Sequence, residues 1–172
     1  MDKKTIISLI VIVIGITGLV WWSKTAEPET TADASSKSHP ARNGSALVSD
    51  ELFYDFGKIS MKDGKVSKVF KVTNTGTEDI NVPSLSTSCM CTNAYIVKAD
   101  GTKKGPFGMP GHSGFVPKAN EVVKSGGTLD IEIVYDPNAH GPAGVGSIDR
   151  FVYLEDSDGG KLQFEIRANV TP

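Results

Sequence analysis

The clearest strand pattern in the chain is LDIEIVYDP, residues 129–137. Within it, apolar residues alternate with Asp130 and Glu132, and the run ends at Asp136–Pro137. An alternation with a period of two is typical of a β-strand with one buried face, and an Asp-Pro pair favours the start of a turn. We therefore predict a strand over residues 129–135.

Similar extended patterns occur on both sides of this stretch. They span residues 52–56, 66–72, 79–82, 91–97, 148–154 and 162–170. Turn residues such as Asn74–Thr75–Gly76 separate them. No segment after Ser23 has a period that predicts a helix. About seven short strands separated by turns predict an all-β fold, an antiparallel immunoglobulin-like β-sandwich over residues 48–172.

The N-terminal run TIISLIVIVIGITGLVWWS, residues 5–23, carries no charged side chain. A helix of this length spans about 28 Å, close to the hydrocarbon core of a bilayer. Trp21 and Trp22 lie where interfacial aromatic residues are common. The alternative is a cleaved signal peptide, but Lys24 lies where a small residue is required. The sequence therefore predicts a transmembrane anchor at residues 5–23.

The segment that follows the run, residues 24–47, is rich in Ala, Ser, Thr, Pro and Glu. Such a composition buries too little apolar surface to fold, so we predict a disordered linker. Lys3 and Lys4 precede the anchor and favour a cytoplasmic N-terminus. The protein is then expected to cross the cytoplasmic membrane once, with its C-terminal domain in the periplasm or at the cell surface.

The overall composition argues against two classes of function. The chain has 18 Lys and Arg residues against 20 Asp and Glu residues, whereas a nucleic-acid-binding domain normally has a basic face. The sequence contains no nucleophile elbow, no His-Glu-x-x-His motif and no phosphate-binding glycine loop. We therefore expect neither nucleic-acid binding nor enzymatic activity. The expected partners are the membrane and a protein outside it.

Four short motifs resemble those of one family. They are FYDFG at 53–57 for its FDFG opening, FKVTNTG at 70–76 for its NTG turn, SCMCT at 88–92 for its SCGCT motif, and VYDP at 134–137 for its YDP strand end. The chain resembles a bacterial domain family of unknown function that is related to the Hydin-type immunoglobulin-like sandwiches. The resemblance implies the fold and an extracytoplasmic setting, and it implies little about activity. The chain departs from the family pattern at Met90, where Gly is usual, and in a Gly- and Pro-rich insert at residues 101–121.

The two cysteines of the chain, Cys89 and Cys91, are separated by one residue. On a strand they would place both thiols on one face, with Met90 on the other. Two thiolates do not complete a metal site, so further ligands are needed. The candidate metal ligands are the sulfur and imidazole side chains of this region, Cys89, Cys91, Met109, His112 and His140.

These ligand types indicate a soft metal. Thiolate and thioether groups select copper, most readily Cu(I), over magnesium, calcium or manganese. Zinc is the second choice, because it accepts two Cys and two His ligands without Met109. We predict a membrane-anchored domain that holds, delivers or senses copper, or passes electrons. The insert would be a flap that closes over the metal.

Other interpretations of the same residues stay open. Cys89 and Cys91 would form a structural disulfide in an oxidising compartment, or a redox-active pair, or two buried free thiols. The alternative function is that of a protein-interaction scaffold without a metal, in which the sandwich would bind a partner through an exposed edge strand.

Overall fold

The computed structural model describes residues 45–111 and 118–172 of the chain. The predicted anchor, nearly all of the predicted linker, and His112 of the predicted metal site lie outside these ranges. Within them, no helix is long and apolar enough to span a membrane. The sandwich begins with Leu47, one residue before the boundary expected from composition, and Leu47 is buried.

The described residues form eleven strands and no α-helix. The strands are β1 (Leu47–Val48), β2 (Phe53–Ser60), β3 (Val66–Asn74), β4 (Ile80–Val82), β5 (Ser84–Thr87), β6 (Thr92–Val97), β7 (Lys103–Phe107), β8 (Glu121–Val123), β9 (Thr128–Tyr135), β10 (Gly146–Glu155) and β11 (Lys161–Thr171). Two single turns of 3₁₀ helix span Met61–Asp63 and Gly141–Gly144. The prediction of an all-β fold is confirmed.

The strands form two large sheets and one small one. The five-stranded sheet has the order β1-β3-β9-β6-β7, and the four-stranded sheet has the order β2-β11-β10-β5. Strands β4 and β8 pair separately. All neighbours are antiparallel except β2 and β11, which run parallel. The two large sheets bury apolar side chains between them, and this buried layer is the core of the sandwich.

The predicted strand at 129–135 is β9, at the centre of the five-stranded sheet. Its apolar residues Ile131, Ile133 and Tyr135 are buried, as the alternation predicts. Contact between the two sheets is visible at Phe70 of β3 and Phe164 of β11, whose ring centroids are 5.0 Å apart.

The insert at residues 101–121 contains a strand that the sequence did not predict. β7 pairs with β6, and the register of that pairing shifts between Ala94 and Ile96. Gly105 lies opposite this shift, where a Cβ atom would come within 3.0 Å of the Ala94 carbonyl oxygen. Only glycine permits so close an approach without displacing the neighbouring strand.

Two connections between the large sheets lie at the same end of the sandwich. One joins β5 to β6 and the other joins β9 to β10, so each passes from one large sheet to the other. They lie close together because Thr92, the first residue of β6, pairs with Tyr135, the last residue of β9. The candidate site lies where these connections meet.

Candidate metal centre

Cys89, Met90 and Cys91 lie in the turn between β5 and β6. The Thr92 amide donates to the Cys89 carbonyl over 3.1 Å and closes the turn. The prediction that a strand starts at Cys91 is therefore wrong by one residue, and the two thiols do not share a strand face. The physical reason is topological, since the chain must reverse here to leave one sheet and enter the other.

Neighbouring residues hold this turn in place. The Thr87 hydroxyl lies 3.1 Å from the Cys89 carbonyl and 3.0 Å from the Thr92 carbonyl, so its single proton can be donated to either end of the turn. The Ser88 amide donates to the Phe151 carbonyl, and the Phe151 amide donates to the Ser88 hydroxyl. The turn is thereby fastened to β10, which lies in the four-stranded sheet.

The turn divides its three side chains by exposure. Met90 is 45% exposed at the tip, Cys89 is half-buried, and Cys91 is 1% exposed. Both cysteines are free thiols. One sulfur is therefore accessible to solvent and the other is part of the core.

His140 reaches this turn from the connection between β9 and β10. The Asp136 amide donates to the Cys91 carbonyl over 2.9 Å, which joins the end of β9 to the cysteine turn. The Asp136 side chain then accepts from the Asn138 amide over 2.9 Å and tightens the next turn. As a result, His140 Nε2 lies 3.3 Å from Cys89 Sγ.

The Sγ atoms of Cys89 and Cys91 and one ring nitrogen of His140 all lie within 4.8 Å of one another. Among the described residues, this is the one group of three or more Cys, His, Asp or Glu side chains with such spacing. Two thiolates and an imidazole are ligands for soft and borderline metals. The group can hold a metal ion.

Arg150 of β10 is a further neighbour of the thiols. Its Nε–H donates to Cys91 Sγ over 3.1 Å, and its Nη1 donates to the Asp149 carbonyl over 2.8 Å. Sequence reasoning missed this residue. The alternation of β10 could have pointed to it, since Arg150 occupies the same face of the strand as the buried residues Ile148 and Val152.

The two thiols differ in acidity. Burial raises the pKa of Cys89, but hydrogen bonds from the Cys91 thiol, the Cys91 amide and His140, together with the charge of Arg150, outweigh it and lower the pKa to about 7. Burial and the contact with Cys89 raise the pKa of Cys91, although the hydrogen bond from Arg150 opposes this. Near neutral pH, Cys89 is therefore the more reactive thiol.

The five predicted ligands have different outcomes. The structure brings Cys89, Cys91 and His140 together. Met109 follows β7, beside Gly108, whose carbonyl accepts from the Thr87 amide over 3.2 Å. Its segment therefore runs beside the strand that leads into the cysteine turn, and its role as a ligand stays a prediction. His112 lies outside the described residues.

A known sequence family matches part of the chain. The profile of the family described as "Protein of unknown function (DUF1573)" matches residues 47–106. This range includes the first three motifs quoted from the sequence and ends before the fourth, at 134–137. No curated protein matches the chain in sequence. The relationship to Hydin-type sandwiches stays a prediction.

Solved structures share the fold at low sequence identity. A protein of unknown function from Porphyromonas gingivalis W83 is 14% identical, with a TM-score of 0.53 over 73% of this chain and 46% of that one. This chain thus spans less than half the length of that protein. The PapD-like domain 7 of human CEP192 is 13% identical, with a TM-score of 0.46 over 84% of this chain and 97% of that one. The periplasmic chaperone SfaE is 11% identical, with a TM-score of 0.40 over 73% and 58%. The first likeness supports the β-sandwich fold alone.

Proposed function

We propose that this chain is a copper-binding protein whose β-sandwich domain is held outside the cytoplasmic membrane by its N-terminal apolar run. In this proposal the domain binds metal and does not catalyse a reaction. The observation that carries it is the convergence of Cys89, Cys91 and His140 within 4.8 Å. The location is supported by the charge-free run at residues 5–23 and the lysines before it.

Copper is favoured over other metals by the type and number of these ligands. Thiolates are soft ligands and exclude hard cations such as magnesium and calcium. Cu(I) is satisfied by the two thiolates and the imidazole, whereas a structural zinc site almost always has four ligands. Met109 and His112 are proposed as additional ligands that the insert supplies. The Met109 thioether would strengthen the preference for Cu(I), whereas His112 would complete a two-Cys, two-His set, so zinc is the second choice of metal.

The exposure of the site supports a role in holding and transferring copper. His140 is exposed and Cys89 is half-buried, so an incoming donor or acceptor ligand could reach these two side chains while they hold copper. The buried Cys91 would hold the ion while the accessible ligands exchange.

The direct test is Cu(I) titration of the full-length chain, purified in detergent, against a competing chelator. We expect one Cu(I) per chain. Replacing a ligand, as in Cys89→Ser, Cys91→Ser or His140→Gln, should weaken binding by more than about 100-fold, because losing even an outer partner of a metal ligand costs about 10- to 100-fold.

Two controls belong to this titration. His39→Gln replaces a histidine of the predicted linker by the same residue as His140→Gln does in the site, and it should leave the Cu(I) affinity unchanged. Met109→Leu keeps an apolar side chain of similar size and tests whether the thioether is a ligand. An unchanged Cu(I) affinity in the Cys89→Ser/Cys91→Ser double variant would refute the copper-binding proposal.

A second candidate function is thiol–disulfide exchange, and the difference between the two thiols favours it. The Cys89 thiolate would attack a partner disulfide, forming a mixed disulfide while the partner's second sulfur leaves as a thiolate. Cys91 would then attack Cys89 and release the partner's remaining sulfur as a thiolate. The partner disulfide is thereby reduced, and Cys89 and Cys91 become a disulfide.

This second candidate predicts an asymmetry between the two serine variants. Cys91→Ser keeps the reactive Cys89 but removes the resolving thiol, so a mixed disulfide with a small-molecule disulfide should accumulate. Cys89→Ser should form little mixed disulfide, since its remaining thiol, Cys91, is buried. Intact-mass spectrometry measures the amount of mixed disulfide in both variants. Equal trapping by the two variants would exclude the exchange mechanism.

A further inference from the structure

Arg150 carries a positive charge into a position that normally belongs to the core. In β10 its register places it on the inward face with Ile148 and Val152, both of which are buried. A charge at such a position is costly unless a partner of opposite charge offsets it. The partner of Arg150 is therefore informative about the site.

Among the described residues, Arg150 forms no ion pair with a carboxylate. Its two hydrogen bonds go to Cys91 Sγ and to the Asp149 carbonyl. The carboxylate of the adjacent residue, Asp149, is engaged by Arg167 at 2.6 Å on the other face of the strand. The group on which the Arg150 charge acts is thus the thiol pair.

Two further ionisable groups near the site, Asp136 and Tyr135, add no unbalanced charge. Asp136, which follows β9, lies 3.7 Å from Lys65. The buried Tyr135 has a raised pKa, because burial and the nearby thiols disfavour its phenolate, so it is neutral at physiological pH. The local charge is therefore decided by three groups, the two thiolates and the Arg150 guanidinium.

We propose that Arg150 makes the site selective for a monovalent metal ion. This inference rests on the proposed copper-binding function. Two thiolates carry two negative charges, while Arg150 and Cu(I) each carry one positive charge, so the loaded site is neutral. A divalent ion such as Zn(II) would leave a net positive charge beside a half-buried guanidinium. The arginine thereby penalises Zn(II) relative to Cu(I) through charge, in addition to any preference of the ligands.

The test compares Cu(I) and Zn(II) affinities of the full-length chain in detergent for three variants. Arg150→Gln removes the charge and keeps an N–H donor. It should lower the ratio of Cu(I) to Zn(II) affinity by roughly 10- to 100-fold, since one unit charge a few ångströms away acts in a half-buried site. Part of this change should be a gain in Zn(II) affinity, which a misfolded variant does not show.

Two matched variants separate a local charge effect from other causes. Arg150→Lys keeps the charge and should retain most of the selectivity. Arg167→Gln removes the same charge from the neighbouring strand, where Arg167 is paired with Asp149 and Glu165 instead of a thiol. It should leave the affinity ratio unchanged.

The outcomes for the two proposals are distinct. If the wild type binds Cu(I) through its cysteines but Arg150→Gln leaves the affinity ratio unchanged, the selectivity inference is wrong and the copper-binding function stands. An equal fall of the Cu(I) to Zn(II) affinity ratio in Arg150→Gln and Arg167→Gln would also overturn the inference. It would show that the ratio depends on the total charge of the protein and not on the charge beside the thiols. If the wild type shows no cysteine-dependent binding of either metal, both proposals fail.

Discussion

Cys89 has a reactivity that its immediate contacts determine. Its thiol accepts from the Cys91 amide at 3.5 Å and lies 3.3 Å from His140 Nε2. Both contacts favour the thiolate, and together with the Cys91 thiol they outweigh the opposing effect of burial. Cys91, two residues further along the chain, is more deeply buried, and its pKa moves in the opposite direction.

The lowered pKa of Cys89 predicts the pH dependence of its alkylation. In the reduced, metal-free protein, the rate of iodoacetamide modification at Cys89 should be half-maximal near pH 7, where half of the thiol is ionised. It should rise as the pH is raised toward 8 and then level off. Peptide mass spectrometry at a series of pH values measures it, and a midpoint above pH 8 would contradict the assignment.

Two comparisons sharpen this prediction. Cys91 should react more slowly than Cys89 at pH 7, since it is buried and its pKa is raised. His140→Ala removes one of the contacts that lower the pKa of Cys89, so the midpoint should move to higher pH. An unchanged midpoint in that variant would mean that His140 does not act on the thiol.

Two of the short motifs read from the sequence are local structural devices. In β2, the Asp55 side chain accepts from the Gly57 amide over 2.7 Å, and Gly57 has a φ of 66°. The register against β11 shifts at this point. The DFG sequence therefore forms a bulge, and the strand continues past Gly57 to Ser60.

The NTG turn after β3 is organised by the side chain of Asn74. Asn74 is fully buried, and its Nδ2 donates to the carbonyls of Glu78 and Val123. Its Oδ1 accepts from the Gly76 amide over 2.9 Å. One side chain thus holds the turn and joins it to the end of β8.

Asn74→Ala should therefore lower the free energy of unfolding by roughly 2–4 kcal/mol, because it leaves buried backbone groups without partners. Asn74→Asp has nearly the same shape but places oxygen where two carbonyls need a donor, so it should also destabilise the fold. Asn169→Ala is the control, since Asn169 is exposed on β11. Urea unfolding followed by circular dichroism measures all three. Equal stability of Asn74→Ala and Asn169→Ala would contradict this role.

On the scale of the whole molecule, the site depends on two sheets meeting at one end. Cys89 and His140 are 51 residues apart in the chain, yet their side chains touch. They meet because β6 and β9 are neighbours in one sheet, while the Ser88–Phe151 hydrogen bonds fasten the turn to the other. A metal at this position would join segments from both sheets.

The fold could be predicted from sequence wherever local alternation is strong. The alternation of side chains predicts β3, β9, β10 and β11, because the side-chain period of a strand is a local property. It does not predict β7, since the sequence KKGPF has no alternation and buries only Phe107. β7 is a strand because the backbone of β6 pairs with it, and its own residues do not reveal this pairing.

Strand periodicity and ligand chemistry belong to the residues themselves, so the amino-acid sequence is enough to predict an all-β domain and to identify Cys89, Cys91 and His140 as candidate ligands. The folded structure is needed to place the cysteines in a turn, to bring His140 to Cys89 and to direct Arg150 toward Cys91. These contacts depend on which strands become neighbours and on where the chain crosses between sheets. That choice is made by the packing of the whole sandwich and not by any single segment.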